Sequence, residues 1–169
     1  MKQFLLLVIL TIVVAGCSDG VELSTLKEKG GTFYTKKGNK RFSGKAISYF
    51  SASKGKERRV RKQGEFSQGK KDGVWIVNSW NGEWVKKTYK AGKLHGESAW
   101  YYRNGNKKRV QEFQNNRPHG YGSRWKKNGE EIGYDYYEDG AKVAIPKDFD
   151  DNVLKRAQSL FDEFGNAFR

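Results

Sequence analysis

The sequence predicts a mainly β protein, an elongated antiparallel meander of repeated β-hairpins followed by a C-terminal amphipathic α-helix. Asn-Gly pairs return at a nearly constant spacing, and aromatic residues return in register with them. The last segment changes to apolar residues at helical spacing. Because Asn-Gly between aromatic or β-branched runs is the strongest short-range hairpin signal, the repeat itself predicts the fold.

A glycine eight or nine positions ahead of each Asn-Gly pair defines the repeat. These glycines are Gly73, Gly96 and Gly120, so the period is 23 and then 24 residues. Each unit predicts an outgoing strand, a type I′ turn and a return strand. The turns are expected at Asn81-Gly82, Asn104-Gly105 and Asn128-Gly129. The extra residue of the middle unit predicts a β-bulge in its return strand.

The return strands show the alternation expected of β structure. Val85, Lys87 and Tyr89 fall on one face of the first return strand, and we expect Ile132, Tyr134 and Tyr136 on that same face in the third. A second turn recurs between units, for example at 90–93 and 138–141. A divergent unit begins near residue 42, and its long polar connection predicts an irregular first hairpin.

His95 and His119 precede a repeat glycine, at the position that Ser43 and Asp72 hold elsewhere. A catalytic or metal-binding histidine is expected once, beside chemical partners. A residue that returns at each unit instead predicts hydrogen bonding to the backbone of a turn. The same reasoning makes the aromatic run 100–102 first a packing element and second a ligand platform.

The N-terminus has the layout of an exported lipoprotein. Residues 1–16 read as a signal peptide, with one lysine before a short apolar run that is too short to span a bilayer. The segment 14–17, Val-Ala-Gly-Cys, resembles a lipobox, which implies lipidation of Cys17. The alternative is an ordinary cleavage site with a small residue beside it. Cys17 is the only cysteine, so no intramolecular disulfide is expected.

The positive charge is concentrated in the central region. Residues 31–146 contain 26 Lys and Arg against 11 Asp and Glu, whereas the whole chain has a net charge of +14. Such an excess attracts phosphate-rich partners, although a solvated, solubilising face explains it equally well. The residues that we expect to bind an anionic ligand or a partner lie in or beside strands. They are Lys86, Lys108, Arg124, Lys126, Trp100, Tyr101 and Trp125.

Motifs of enzyme sites are missing from the sequence. It contains no Gly-Lys-Ser/Thr phosphate loop and no His-Glu-x-x-His zinc motif. The pairs Glu130-Glu131 and Asp150-Asp151 fall at a turn and a helix start, where capping and solubility explain them. We therefore expect no catalytic residues, no metal and no cofactor. A cell-wall hydrolase with two carboxylates remains an alternative.

The segment 146–169 predicts one amphipathic helix. Its apolar residues share one helical stripe: Phe149, Val153, Ala157, Leu160, Phe161 and Phe164. Aspartates at 148, 150 and 151 suit the first turn, and Gly165 suits the end. The helix is expected to cover the exposed end of the repeat core, and the alternative is that its apolar face binds a partner.

The repeating pattern, seen in residues 89–96 and again in 113–120, resembles the bacterial variant of the MORN repeat. The resemblance covers roughly residues 31–142 and leaves 17–30 as a lipidated cysteine and short linker, before a repeat region over 31–145. It implies an elongated meander of hairpins and little about chemistry. Bacterial repeats of this kind are catalogued as antitoxin components, and phospholipid binding has been attributed to other MORN proteins.

Three functions follow as expectations. The first is a non-catalytic binding or scaffold lipoprotein that holds an envelope protein or an anionic envelope polymer. The second is an immunity or antitoxin-type protein that neutralises a toxin, and the third is the hydrolase. We expect attachment to the envelope through the lipid, at the outer membrane because serine follows Cys17. Export argues against nucleic acid as the natural partner, and the oligomeric state stays open.

Overall fold

The computed structural model describes residues 20–52 and 56–145, which form a ten-stranded sheet and a two-stranded hairpin. The expected mainly β class and the antiparallel meander are confirmed. The expected signal peptide, Cys17 and the helix over 146–169 lie outside the described residues. Within the described part, no helix is long and apolar enough to cross a membrane.

The strands are named in chain order. They are β1 (Val21–Glu22), β2 (Leu26–Lys29), β3 (Thr32–Thr35), β4 (Gly44–Tyr49), β5 (Val60–Ser67), β6 (Lys70–Asn78), β7 (Trp84–Lys90), β8 (Lys93–Tyr101), β9 (Lys107–Gln114), β10 (Arg117–Trp125), β11 (Glu131–Glu138) and β12 (Ala141–Val143). A 3-10 turn, Leu23–Thr25, follows β1. Part of the segment expected to be a linker is therefore regular structure.

The large sheet has the order β1-β4-β5-β6-β7-β8-β9-β10-β11-β12. From β4 onward, each strand pairs antiparallel with the next strand along the chain, as a meander requires. The strand β1 is parallel to β4 and lies at the outer edge. The hairpin of β2 and β3 packs against the sheet, because Leu26 and Phe33 join a core with Phe66 and Trp75.

The Asn-Gly turns form in the expected places with a different geometry. Gly82 has a φ of +84°, whereas Asn81 keeps a negative φ, so this turn is not type I′. The Gly82 N–H donates to Ser79 O at 3.2 Å, which makes a type I turn followed by a left-handed glycine. Asn81 Oδ1 accepts from Glu83 N at 3.0 Å and holds the asparagine there. The turns at 104–105 and 128–129 repeat this pattern.

The type I′ turns lie instead between the units. Both central residues have a positive φ, as this turn requires, at Gln68-Gly69, Ala91-Gly92, Asn115-Asn116 and Asp139-Gly140. Each of these turns is bonded to an earlier strand. The N–H of Gly92 donates to Lys71 O at 2.7 Å, and equivalent bonds join Gly69 to Phe42, Asn116 to Leu94 and Gly140 to Pro118. These turns therefore lie side by side at one end of the strands.

The position before each repeat glycine supports these stacked turns in two units. Ser43 Oγ accepts the N–H of Gln68 at 2.8 Å, and Asp72 Oδ1 accepts that of Ala91 at 3.1 Å. The expected bonding of this position to a turn backbone is confirmed for these two residues. His119 differs, because its Nδ1 is buried without a hydrogen-bond partner.

Breaks in register determine which residues share a face. A bulge in β8 contains the repeat glycine. Leu94 pairs with Tyr89 and Ser98 pairs with Lys87, so the three β8 residues between Leu94 and Ser98 lie opposite one residue of β7. The bulge expected in the middle return strand is present, because Lys108 is skipped between Lys107 and Arg109. Equivalent skips occur at Arg61 and Ile132.

The two surfaces of the large sheet carry different residues. We call the surface that contains Trp75, Lys87 and Arg109 the front face. The surface that contains Lys86, Ala99 and Val110 is the back face. Cross-strand pairing and the alternation along each strand assign the other strand residues to one face or the other. Tyr134 pairs with Ser123 on the back face. The expectation that it shares a face with Lys87 is therefore wrong, because the bulge at Ile132 reverses the alternation.

Candidate functional site

The residues expected to bind a ligand do not form one surface. Arg124 and Trp100 lie on the front face, whereas Lys86, Tyr101 and Trp125 lie on the back face. Lys108 is the bulge residue, and Lys126 lies in a turn. The continuous patch expected from the sequence is therefore absent from the part of the chain that the structure describes.

Three of the expected cations also have acidic neighbours. Lys108 Nζ lies 3.0 Å from Glu83 Oε2, and this hydrogen bond lowers the pKa of Glu83. Lys126 Nζ lies 2.7 Å from Glu130 Oε1. Arg124 Nε lies 3.3 Å from Asp135 Oδ2. Such pairing reduces the charge that these residues present to an anionic ligand.

The front face carries most of the unbalanced positive charge. Its charged strand residues are six cations and one carboxylate: Lys62, Lys71, Lys87, Arg109, Arg124, Lys142 and Asp135. The back face has seven cations and seven carboxylates among its paired strand residues, so its charges cancel. The front face is therefore the candidate site.

Lys71 is held at the centre of a lysine cluster. Its Nζ lies 4.9 Å from the ring centroids of both Trp75 and Tyr89. Burial, followed by the nearby charges of Lys62 and Lys87, lowers the pKa of Lys71. Lys62 and Lys87 are near enough to repel the Lys71 ammonium, and Glu28 of β2 partly offsets this repulsion. An anion bound beside Lys71 would offset it further.

A second cationic group lies further along the front face, on β8 to β10. The guanidinium of Arg109 lies over the ring of Trp100, 5.6 Å from its centroid. Arg109 Nη2 donates to Gln111 Oε1 at 3.4 Å. A guanidinium held over an indole by such a contact still has N–H groups available to an anion.

Polar side chains form the floor between these groups. Ser98 and Gln111 pair across β8 and β9 and have no exposed surface. Gln111 lies directly on Gly122, where a β-carbon would come within 2.2 Å of its Oε1. The floor ends at Asp135, whose exposure is 8 %. Because Ser98 and Gln111 are fully buried, they do not contact a ligand themselves, and Gln111 instead accepts a hydrogen bond from Arg109 and helps to hold that cation.

Two cations of the same face balance the negative charge of Asp135. The hydrogen bond from Lys142 is the largest cause that lowers the pKa of Asp135, and it overcomes the opposing effect of burial. Arg124 lowers this pKa further. The carboxyl is therefore ionised at neutral pH. Its ion pair with Lys142 holds β12 at the edge of the front face.

Among residues 20–52 and 56–145, no group of three His, Cys, Asp or Glu side chains is placed to hold a metal ion. A scan against protein-family models gives no match, and a search of curated proteins gives none either. The arrangement is one that can hold a ligand with several negative charges.

Proposed function

We propose that the protein is a non-catalytic binding lipoprotein that holds an anionic polymer of the cell envelope on the front face of its sheet. The observation that carries this proposal is the separation of charge, with an excess of five cations on the front face and none on the back. A solubilising role alone does not require this separation, because charges on either face would serve it equally.

The spacing of the cations favours a polymer over a small anion. Lys62, Lys87 and Arg109 lie on every second strand, β5, β7 and β9. Neighbouring strands are about 4.8 Å apart, so these cations recur at roughly 10 Å intervals across the sheet. A chain with regularly repeated phosphate or carboxylate groups engages several of them at once, whereas one small anion reaches only one or two.

The proposal is tested by two matched triple variants. The front variant carries Lys62→Glu, Lys87→Glu and Arg109→Glu, and the control carries Lys45→Glu, Lys90→Glu and Lys93→Glu at exposed positions outside the front face. Both variants lower the net charge equally. Their binding to long-chain polyphosphate, to polyglutamate and to neutral dextran is measured by fluorescence anisotropy at constant ionic strength.

We expect the front variant to lose at least about tenfold in affinity for the anionic polymers, while the control changes by about twofold or less. A preference for polyphosphate over polyglutamate would identify phosphate as the ligand chemistry. Equal losses in the two variants would contradict the proposal, because they would show a response to net charge alone.

The position of the first strand supports a short connection to the membrane. Cys17 is three residues before Gly20, which packs against Lys45 of β4. Three residues span at most about 11 Å, so a lipid on Cys17 holds the edge strands close to the membrane. We propose that the front face then extends away from the bilayer. A Cys17→Ser variant is expected in the soluble fraction of fractionated cells, and its retention in membranes would contradict lipid anchoring.

The proposal also includes the class of the repeats and a helix at the C-terminal end of the sequence. The hairpins are of the MORN-like bacterial class, which the recurrence of left-handed Gly73, Gly96 and Gly120 supports. The segment 146–169 is an amphipathic helix. Circular dichroism of the full chain and of a chain ending at residue 145 tests the second point, because loss of the helical signal on truncation is expected.

Recognition of a protein, such as a toxin, is a second candidate function that one exposed cluster favours. Trp80 is 60 % exposed at the tip of the first Asn-Gly turn. It stacks on Phe50 with ring centroids 4.2 Å apart, and the Arg59 guanidinium lies 5.0 Å from its ring. Exposed Trp and Arg are frequent anchors of protein interfaces. Loss of one defined protein from cross-linked envelope in Trp80→Ala, with polyphosphate binding kept, would support this function.

A further inference from the structure

The back face contains a trough with a floor of short side chains. Ala99, Val110 and Ser123 are direct neighbours on β8, β9 and β10, and their exposures are 1 %, 6 % and 9 %. Ala99, Val110 and Trp125 form a core cluster of their own, separate from the one beneath the N-terminal hairpin. The trough therefore has an apolar floor that runs across the strands.

Aromatic rings form the walls of the trough. On the side of the Asn-Gly turns, Trp84 and Tyr101 stack with centroids 3.7 Å apart, and Trp125 lies next along that side. On the other side, Tyr121 and Tyr136 pack with centroids 4.6 Å apart, and Glu97 and Glu112 continue that side on β8 and β9. Along each strand, the wall residues lie two positions before and two positions after the floor residue, so the walls are roughly 13 Å apart. That width suits an α-helix, whose diameter with side chains is about 10 Å.

The chain leaves the sheet at one end of this trough. The strand β12 ends at Val143, which pairs with Tyr136 of the wall. Ala144 and Ile145 follow outside any strand and are exposed. The residues that come next are 146–169, so they begin where the trough begins.

The length of the C-terminal segment matches the trough. A helix over residues 147–164 is about 27 Å long. The strands from β11 back to β7 span about 19 Å, and those back to β6 about 24 Å. A helix that turned back at residue 146 would therefore cross the whole floor and end near β6.

We propose that residues 146–169 fold back across the back face, with their apolar stripe on Ala99, Val110 and Ser123. This inference rests on the proposed helix and is independent of the anionic ligand. The stripe supplies Phe149, Val153, Leu160 and Phe164 at helical spacing, which gives a continuous apolar surface to match the floor. The docked helix closes the back face and leaves the front face as the surface for a ligand.

A second copy of the chain and a separate protein are the other candidate occupants. The tethered segment has the advantage of effective concentration, which reaches the millimolar range for a short connection. Only Ala144 and Ile145 separate β12 from the segment, so another molecule must compete with an occupant that is always present.

The test is chemical cross-linking between two introduced cysteines. Lys86 and Lys87 are adjacent in β7, both half-buried, and lie on opposite faces. Each is replaced by cysteine in a chain that also carries Cys17→Ser and Ala157→Cys, so that no other thiol is present. A short bismaleimide is added at low protein concentration. We expect the Lys86→Cys chain to cross-link internally at least about tenfold faster than the Lys87→Cys chain.

The alternatives give different products. Equal rates, or a faster reaction of the Lys87→Cys chain, would overturn the proposal. Cross-linked dimers in place of internal products would assign the trough to a second copy and would also overturn it. Circular dichroism of both chains, and polyphosphate binding of the Lys86→Cys chain, show that the sheet has folded. An unchanged affinity of the Lys86→Cys chain for polyphosphate with equal cross-linking rates would sink this inference and spare the proposed function.

Discussion

The indole of Trp75 lies flat on the backbone of Gly64, so close that a β-carbon at position 64 would come within 2.3 Å of the ring. Trp75 is 1 % exposed and contacts Phe66 edge to face with centroids 5.0 Å apart. Gly64→Ala must displace the ring, and it is expected to destabilise the protein by about 1–3 kcal/mol. Urea unfolding followed by tryptophan fluorescence measures the change.

A double-mutant cycle separates this clash from any effect of the strand. In a Trp75→Leu background the space above position 64 is larger, so Gly64→Ala is expected to cost at most about 0.5 kcal/mol. An equal cost in both backgrounds would show that the indole does not require the glycine.

Ala91 is the weakest residue choice in the type I′ turns. Its φ is +50°, a conformation that costs a residue with a β-carbon roughly 1 kcal/mol and that asparagine adopts more readily. Ala91→Asn is therefore expected to stabilise the protein by about 0.5–1 kcal/mol, measured by the urea midpoint. The control is Ala144→Asn, at an exposed position with a negative φ. Equal effects at the two sites would refute the explanation.

Glu97 faces Glu112 directly across β8 and β9. Burial, with Glu112 as a further cause, raises the pKa of Glu97, although Lys86 and Lys107 act in the opposite direction. A raised pKa means that the folded state favours the protonated acid, so its stability is fully present below the unfolded pKa and falls as pH rises through the folded one. Glu97→Gln should therefore stabilise the protein by about 0.5–1 kcal/mol at neutral pH.

The same substitution should have no effect at a pH of about 3, where Glu97 is protonated in either state. Thermal unfolding at the two pH values makes the comparison. Glu131→Gln, at an exposed position of the same face, is the matched control. A gain that persists at low pH would show that packing, and not charge, is responsible.

Asp135 gives the opposite pH dependence. Its pKa is lowered by Lys142 and Arg124, so its stability is present above the unfolded pKa and is lost as pH falls through the folded one. Asp135→Asn is expected to cost about 1.5–3 kcal/mol at neutral pH and little at a pH near 2. Urea unfolding at both pH values measures this. A cost that does not depend on pH would exclude the ion pairs as its cause.

The repeat determines how much of the fold the sequence predicts. The Asn-Gly spacing locates every hairpin from β6 to β11, and the extra residue in the middle unit predicts the bulge at Lys108. The prediction of type I′ geometry at the Asn-Gly pairs was wrong, because Asn81 accepts a hydrogen bond from the backbone and remains at negative φ. The type I′ turns gain their stability from bonds to an earlier strand, such as Gly92 to Lys71, which no local pattern reveals.

The candidate site was predicted less well than the fold. Arg124 and Trp100 lie in strands as expected, but no local pattern shows that Lys86 and Trp100 lie on opposite faces. One-residue bulges at Arg61, Lys108 and Ile132 reverse the alternation within β5, β9 and β11, so the face of a residue cannot be read from its spacing to the Asn-Gly turn. Lys62, Lys87 and Arg109 were missed for this reason, although all three lie inside regular strand segments.

The dependence of binding on salt tests the cationic front face most directly. Polyphosphate affinity is measured between about 50 and 300 mM salt for the wild type and for a chain with Lys62→Gln, Lys87→Gln and Arg109→Gln. Each cation that contacts the polymer releases about one counterion, so the slope of log K against log salt should fall by about 2–3 in the variant. Identical slopes would contradict the assignment of the ligand to this face.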